Sequence, residues 1–264
     1  MRKGFVLLAV LFALVCSPAM AQEDERGPIT WIAFSKVQPG QTQAAVAAEL
    51  KDKEFMDGLV ADGTILSWGM ATPINHFPDD EWNHVQWVTV ASWDHIEKWF
   101  GAVMGLFASL GAEEMAAREA AGKEIFVEGS HFDQVVRHMV WEDPPEDAPL
   151  PKYLYFAHFN AAEGQEESLS KLVKELVVPT IGGLQESGDM GAMGMYTSEL
   201  HGTTDASHTI WYALPSLGAV DKMQAAFAEA GSSAVNAWAQ SVFDLDTHYD
   251  QIWLILHLGR QGAD

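Results

Sequence analysis

The sequence predicts an α+β fold in which one βαββαβ unit is used twice, each unit an antiparallel four-stranded sheet with its helices on one face. Three observations predict it. A closing motif occurs as His131-Phe132-Asp133-Gln134-Val135-Val136 and again as His248-Tyr249-Asp250-Gln251-Ile252-Trp253. Identities recur in one element order: Gly40, Gln41, His84, Trp87, Ser92 and Lys98 match Gly164, Gln165, His208, Trp211, Ser216 and Lys222, all 124 positions apart. Between the halves, Asp143 to Pro151 carries four prolines in nine residues, which suits neither a helix nor a central strand and reads as a stiff linker.

Within the first unit, Ile29 to Val37 is apolar, β-branched and aromatic, and the turn Pro39-Gly40 ends it, so it reads as a strand. Val46, Leu50, Phe55, Leu59 and Val60 fall at spacings of three and four and predict one helix over Gln41 to Ala61. Strands follow at Thr64 to Ala71 and His84 to Ala91, with a loop rich in Pro and Asp between them. Ser92 is placed to cap a helix running to about Leu110, a second helical stretch covers Ala112 to Ala121, and a fourth strand runs from about Phe132 to Trp141. The second unit repeats the order: strand Tyr153 to Asn160, helix to about Ser187, strand Met190 to Tyr196, strand His208 to Leu214, helix from Ser216 and a closing strand. Gly69-Met70 matches Gly194-Met195 at 125, and the closing motif matches at 117 because the first unit has the longer helical insert.

The strands are apolar on both faces: Ile252, Leu254, Leu256 and Leu258 alternate with Tyr249, Trp253 and Ile255. A sheet with one solvated face would show polar residues at every second position, so the face away from the helices must be covered, and the other unit's sheet is the natural cover. Two ferredoxin-like units whose antiparallel sheets pack face to face resemble the dimeric α/β-barrel superfamily, with both halves fused into one pseudo-dimeric chain. The likeness spans about Ile29 to Gly259 and rests on element order, two-sided burial and duplication. It implies a fold shared by cofactor-independent monooxygenases, haem-degrading and chlorite-decomposing enzymes, small isomerases and proteins without known activity. It carries no catalytic residue onto this chain.

The start of the chain has Arg2 and Lys3, an apolar run from Phe5 to Val15 and a small-residue exit at Ala19-Met20-Ala21, the layout of a cleaved export signal. A lipoprotein anchor at Cys16 competes, but Ala13-Leu14-Val15 sets a bulky residue before it, and the run is too short to span a bilayer. The expected organisation is a leader over residues 1–21, units over 22–142 and 153–264, and a linker over 143–152. Cys16 is the only cysteine, so the cleaved chain is without disulfides, thiolate metal sites and cysteine nucleophiles. Its 48% hydrophobic composition allows a core that holds without staples. The formal charge is −22, and removing Arg2 and Lys3 makes it −24. Such a balance repels phosphate backbones and anionic lipid, so the expectation is no nucleic acid, no membrane insertion after cleavage, and a monomer open to further self-association.

Candidate chemistry follows from the predicted strand order, fourth-first-third-second. His84 and His131 start strands beside the end of the first, and His208 and His248 repeat this with His158 between them. Asp133 and Asp250 follow their histidines at i+2. Such groupings could hold a divalent metal or orient a general base; alternatively they serve as hydrogen-bonding residues at strand starts. His138 and His257 fall late in the fourth strands, where an imidazole facing a cavity could ligate haem or simply be satisfied in the core. Trp31, Trp87, Trp99, Tyr155, Trp211 and Trp253 could line a pocket between sheet and helices. Met190, Met193 and Met195 read as copper ligands or as adaptable packing. Gly-x-Ser-x-Gly, a phosphate loop, Gly-x-Gly-x-x-Gly opening a helix, His-Glu-x-x-His and Cys-x-x-Cys-His are all missing. The leading expectation is a protein that binds a small apolar or aromatic molecule between sheet and helices, with monooxygenase-type turnover that needs no cofactor as its catalytic form. The alternatives are a haem or metal protein using the strand histidines, and a barrel with a structural or partner-binding role.

Overall fold

A computed structural model of the protein describes residues 27–75, 82–145, 148–200 and 206–260. The leader predicted over residues 1–21, and Cys16 with it, lies outside them. In the first unit β1 is Ile29–Ser35, α1 Thr42–Glu49, α2 Lys53–Ala61, β2 Ser67–Pro73, β3 His84–Val90, α3 Trp93–Ser109, α4 Ala112–Ile125 and β4 Phe132–Glu142. In the second, β5 is Tyr153–Ala161, α5 Glu166–Leu172, α6 Val178–Glu186, β6 Met193–Ser198, β7 His208–Leu214, α7 Gly218–Ala230, α8 Ser233–Val242 and β8 Phe243–Arg260. Among the described residues no helix is long and apolar enough to cross a membrane.

All strand pairs are antiparallel, and the order is β1-β3-β2-β8-β5-β7-β6-β4, closing on itself. Each unit therefore has the expected fourth-first-third-second sheet. The two sheets also join edge to edge, β2 to β8 and β4 to β6, which leaves neither with an open edge. Their concave faces meet inside the barrel, where Ile32, Phe34, Val85, Phe156, Trp211 and Trp253 form one apolar cluster. The helices cover the outside over three further clusters, two in the first unit and one centred on the second.

Several boundaries differ from the sequence reading. The single helix expected over Gln41 to Ala61 is split by a 3₁₀ turn at Leu50–Asp52, and its counterpart by a π turn at Val173–Val177 ahead of Pro179; proline donates no backbone N–H, so the ladder shifts there. Ser92 does stand at the start of α3, but its hydroxyl bonds Nδ1 of His95 at 2.9 Å rather than capping the backbone. The second unit has its own extra helix, α8, begun by Ser232 Oγ accepting from Val235 N–H. The turns at Gly40 and Gly164 have φ of 80° and 72°, a region glycine enters freely, and α1 and α5 each begin two residues later.

Both seams carry a bulge. Met139 is the extra residue in β4 opposite β6, and Leu256 the extra residue in β8 opposite β2, 117 positions on. A bulge moves the following residues to the other face. The position equivalent to His138 is therefore Ile255, and that equivalent to His257 is Val140. His138 points into the barrel, whereas His257 lies outside with its ring 4.4 Å from that of Trp68. The two histidines, both late in closing strands, are on opposite faces.

Candidate functional site

Two cavities flank the first sheet. The larger, about 870 Å³, lies inside the barrel and opens at the linker end, between Pro28, Ser67, Trp141, Pro144, Pro151 and Arg260. Its wall is largely aromatic: Trp87, Phe156, Tyr196, Trp211 and Trp253. Against this wall runs a chain of hydrogen bonds. Trp211 donates its indole N–H to Nδ1 of His138 at 3.3 Å. An indole nitrogen only donates, so the proton of the neutral imidazole sits on Nε2. That Nε2–H donates to Thr30 Oγ1 at 2.8 Å, and Thr30 Oγ1 lies 2.9 Å from Thr89 Oγ1 on the paired strand. Burial pushes the imidazole of His138 down to about 3, so it is neutral across the physiological range.

The second cavity, about 780 Å³, lies between β2 and β3 and the helices α1, α3 and α4. Met56, Trp68, Met70, Trp99 and Val103 give it apolar walls, and Phe107 and Met115 stand at its rim with 39% of their surface exposed. Several of its polar groups are held. His84 donates Nε2–H to both carboxylate oxygens of Glu49 at 2.9 Å, and Arg118 donates to Asp52 at 2.8 and 3.0 Å and to Glu114 at 3.0 Å. The indole N–H of Trp99 is buried and has no acceptor.

The two units differ at positions that line this space. Counting 124 back from the second unit, Ala48 and Glu49 stand where Leu172 and Val173 stand. Leu172 and Val173 are fully buried in the packed core of the second unit, whereas Ala48 and Glu49 line the cavity of the first. Ala48 is three carbons shorter than Leu172, and the Glu49 carboxylate is turned toward His84, so neither side chain fills the space as its counterpart fills the second core.

No family model and no curated protein matches the sequence. Solved structures do match in fold. One, from Lactobacillus acidophilus NCFM and named a "putative monooxygenase", has a TM-score of 0.60 at 13% identity and covers 89% of this chain and 97% of its own. Another of the same name, from Fusobacterium nucleatum subsp. nucleatum ATCC 25586, has a TM-score of 0.57 at 9% identity and covers 89% and 95%. This chain has the dimeric α/β-barrel fold. Both halves of the dimeric α/β barrel are supplied here by one polypeptide, as its duplication predicts.

Seen on that barrel, the predicted site residues separate. Trp87, Trp211 and Trp253 line the interior cavity, and Trp87 also borders the outer one. Trp31 packs under α3, with ring centroids 6.2 Å from Trp99 and 5.1 Å from Phe100, and Tyr155 packs at 6.1 Å from Tyr212 under the second unit's helices. His158 is inside the barrel, bonded to Thr209 at 2.9 Å and stacked on Tyr249 at 4.5 Å; burial pushes it down to about 4. The rim histidines lie at the end away from the interior mouth. His131 reaches Asp133 at 3.3 Å and His248 reaches Asp250 at 3.2 Å, both on the surface. His84 turns inward to Glu49, and His208 bonds Ser207 at 2.8 Å over Phe159. Among the described residues no group of three or more histidines, cysteines or acids converges as a metal site.

Neither cavity's lining holds a histidine free to ligate haem iron. The outer cavity has no histidine in its lining, and His138 in the inner one gives Nδ1 to Trp211 and Nε2 to Thr30, so neither nitrogen has a lone pair for iron. Sequence reasoning missed Thr30, Thr89, Ala48 and Glu49. Comparing the repeats at the helical positions of offset 124 would have found the last two.

Proposed function

We propose that the protein is exported and binds a small, mostly apolar and aromatic molecule in the outer cavity, between the first sheet and its helices. The observation that carries this reading is the asymmetry of the duplication: one unit packs Leu172 and Val173 where the other keeps Ala48 and Glu49 around some 780 Å³. That volume falls in the range of small-molecule pockets, roughly 300–1,000 Å³. Trp68, Trp99 and Phe107 offer ring surface, and the unpaired Trp99 N–H offers one donor to orient a guest. Two proteins of the same fold carry a monooxygenase name, which supports oxidation of the bound molecule as the catalytic form of this reading.

Filling the cavity tests it. Ala48→Leu combined with Ala116→Leu places two leucines into the space from opposite helices. Fluorescence titration with N-phenyl-1-naphthylamine should show binding to the wild-type chain and at least a tenfold loss in the variant at an unchanged circular dichroism spectrum. Equal binding by the two proteins would remove the proposal. Expressing the full chain with its first 26 residues and sequencing the N-terminus of the exported product tests the address; retention of Met1 in the cytoplasm would refute export.

A further inference from the structure

The barrel interior holds a hydrogen-bond count that does not close. Trp211, neutral His138, Thr30 and Thr89 bring four N–H or O–H hydrogens to their chain. Its three bonds, Trp211 to His138, His138 to Thr30, and Thr30 with Thr89, consume three of them. The indole fixes the direction at one end, so the surplus hydrogen falls on one of the two threonine hydroxyls. Both threonines line the interior cavity, and both are nearly inaccessible, at 6% and 2% exposure. A buried hydroxyl hydrogen without an acceptor is destabilising, and a guest oxygen would satisfy it.

From this count we propose a second ligand site inside the barrel, taking a flat, neutral molecule that presents a single acceptor oxygen, such as a carbonyl, to the Thr30–Thr89 pair. Flatness follows from the walls, where Trp87, Phe156, Tyr196, Trp211 and Trp253 leave a cavity bounded by rings. A neutral acceptor suits the groups at the site itself, since Thr30, Thr89, His138 and Trp211 carry no charge; Arg260, two strands along the same row at the mouth, is the cation of the lining. The single acceptor follows from the count itself. Two further interior indoles are spent, Trp141 on Asp143 at 2.8 Å and Trp253 on Gln251 at 3.3 Å. The site is independent of the outer cavity, since the first sheet stands between them.

The test uses two probes of one shape, 9-fluorenone and fluorene, which differ by the carbonyl, in equilibrium dialysis against the exported chain. The ketone should bind at least tenfold more tightly. In Thr30→Val/Thr89→Val, methyl groups replace both hydroxyls; fluorene should still bind, and the preference should fall below threefold. Ala48→Leu/Ala116→Leu, which fills the outer cavity, should leave the preference intact, so failure of the outer-cavity reading and failure of this one are read separately. Should the double valine variant not fold, the infrared carbonyl stretch of fluorenone bound to the wild-type protein decides instead, with a shift to lower frequency than in hydrocarbon solvent expected. Equal binding of the two probes, a preference that survives the valines or vanishes in the outer-cavity variant, or an unshifted carbonyl band would each overturn the site.

Discussion

Trp211 and His138 meet across the seam between the two units, the indole N–H of one donating to the imidazole Nδ1 of the other at 3.3 Å. They come from β7 and β4, with β6 between them, and His138 pairs with Tyr196 of that intervening strand. The bond therefore depends on the closed barrel and not on either sheet alone. It also keeps the imidazole neutral, because a protonated ring would have to surrender Nδ1 as an acceptor.

Neutral burial makes stability pH-dependent with a definite sign. His138 and His158 are pushed by burial to about 3 and about 4, whereas an unfolded histidine titrates near 6.5. Between these values the unfolded chain binds protons that the folded chain refuses, so stability falls as pH falls through 6.5. Each histidine contributes a slope of about 1.4 kcal/mol per pH unit in that window. His208 and His257, also lowered by burial, act in the same direction. Urea unfolding at pH 6.5, 6.0, 5.5 and 5.0, above the carboxylate range, should show the decline, and His138→Gln should flatten it by about one histidine's share. A flat profile in the wild-type protein would contradict a neutral buried His138.

Gly69 and Gly194 are packing positions of the repeat. Gly194 pairs with Trp211 and Gly69 with Trp87, and in each pair the indole lies over the glycine. A Cβ on Gly194 would sit 2.6 Å from Trp211 Nε1 and 2.8 Å from the carbonyl oxygen of Val140; on Gly69 it would sit 2.3 Å from the Trp87 ring and 2.7 Å from the carbonyl oxygen of His257. Backbone and a wedged indole have little room to yield. Gly194→Ala and Gly69→Ala should each lose about 1–3 kcal/mol, read by thermal melting, and Gly194→Ala should also shift tryptophan emission. A melting temperature unchanged in both would show that the indoles move aside freely.

How much of this was legible in the sequence depends on the scale. Strand order, two-sided burial and the duplication were, because alternation and a fixed offset survive in residue types: Trp87 and Trp211 recur with the glycines they cover. The bulges at Met139 and Leu256 were not, since neither residue type announces an extra position in a strand, and that single unread residue put His138 and His257 on opposite faces. The Thr30–His138 bond was likewise hidden, because it joins positions 108 apart through strand pairing alone. The outer cavity was half legible: Ala48 and Glu49 could be read against Leu172 and Val173, but only the packing says that nothing else fills the gap.

The strand-start histidines divide by burial. His84 is 1% exposed and its Nε2–H is held by Glu49, while His131 and His248 make long contacts to Asp133 and Asp250 at the surface. Removing the first strands a carboxylate; removing the others exchanges one solvated group for another. His84→Ala should lose about 2–4 kcal/mol from the missing ring and the orphaned Glu49. The double variant His131→Ala/His248→Ala should stay within about 0.5 kcal/mol of wild type. Chemical denaturation separates these, and a large loss in the surface pair would mean that those residues do more than close a turn.

The second seam contact is ionic, and its worth follows from its geometry. Arg137 donates from Nε and a terminal nitrogen to the two carboxylate oxygens of Glu199 at 2.9 and 2.7 Å, and also to the Gly27 carbonyl at 3.2 Å. The two side chains are only 14% and 22% exposed, and they link β4 to the chain just beyond β6. A bidentate pair in partial burial loses less to solvent screening and side-chain entropy than a surface pair. The i,i+4 pair Lys123–Glu119, with both side chains at least 70% exposed, supplies the comparison. Arg137→Ala should cost about 1.5–3 kcal/mol, against less than about 0.5 kcal/mol for Lys123→Ala. Because the lost bonds hold one unit to the other, Arg137→Ala should also raise amide exchange in β4 and β6 above that in β1 and β5. Uniform exchange across all four strands would mean that the seam opens only with the whole barrel.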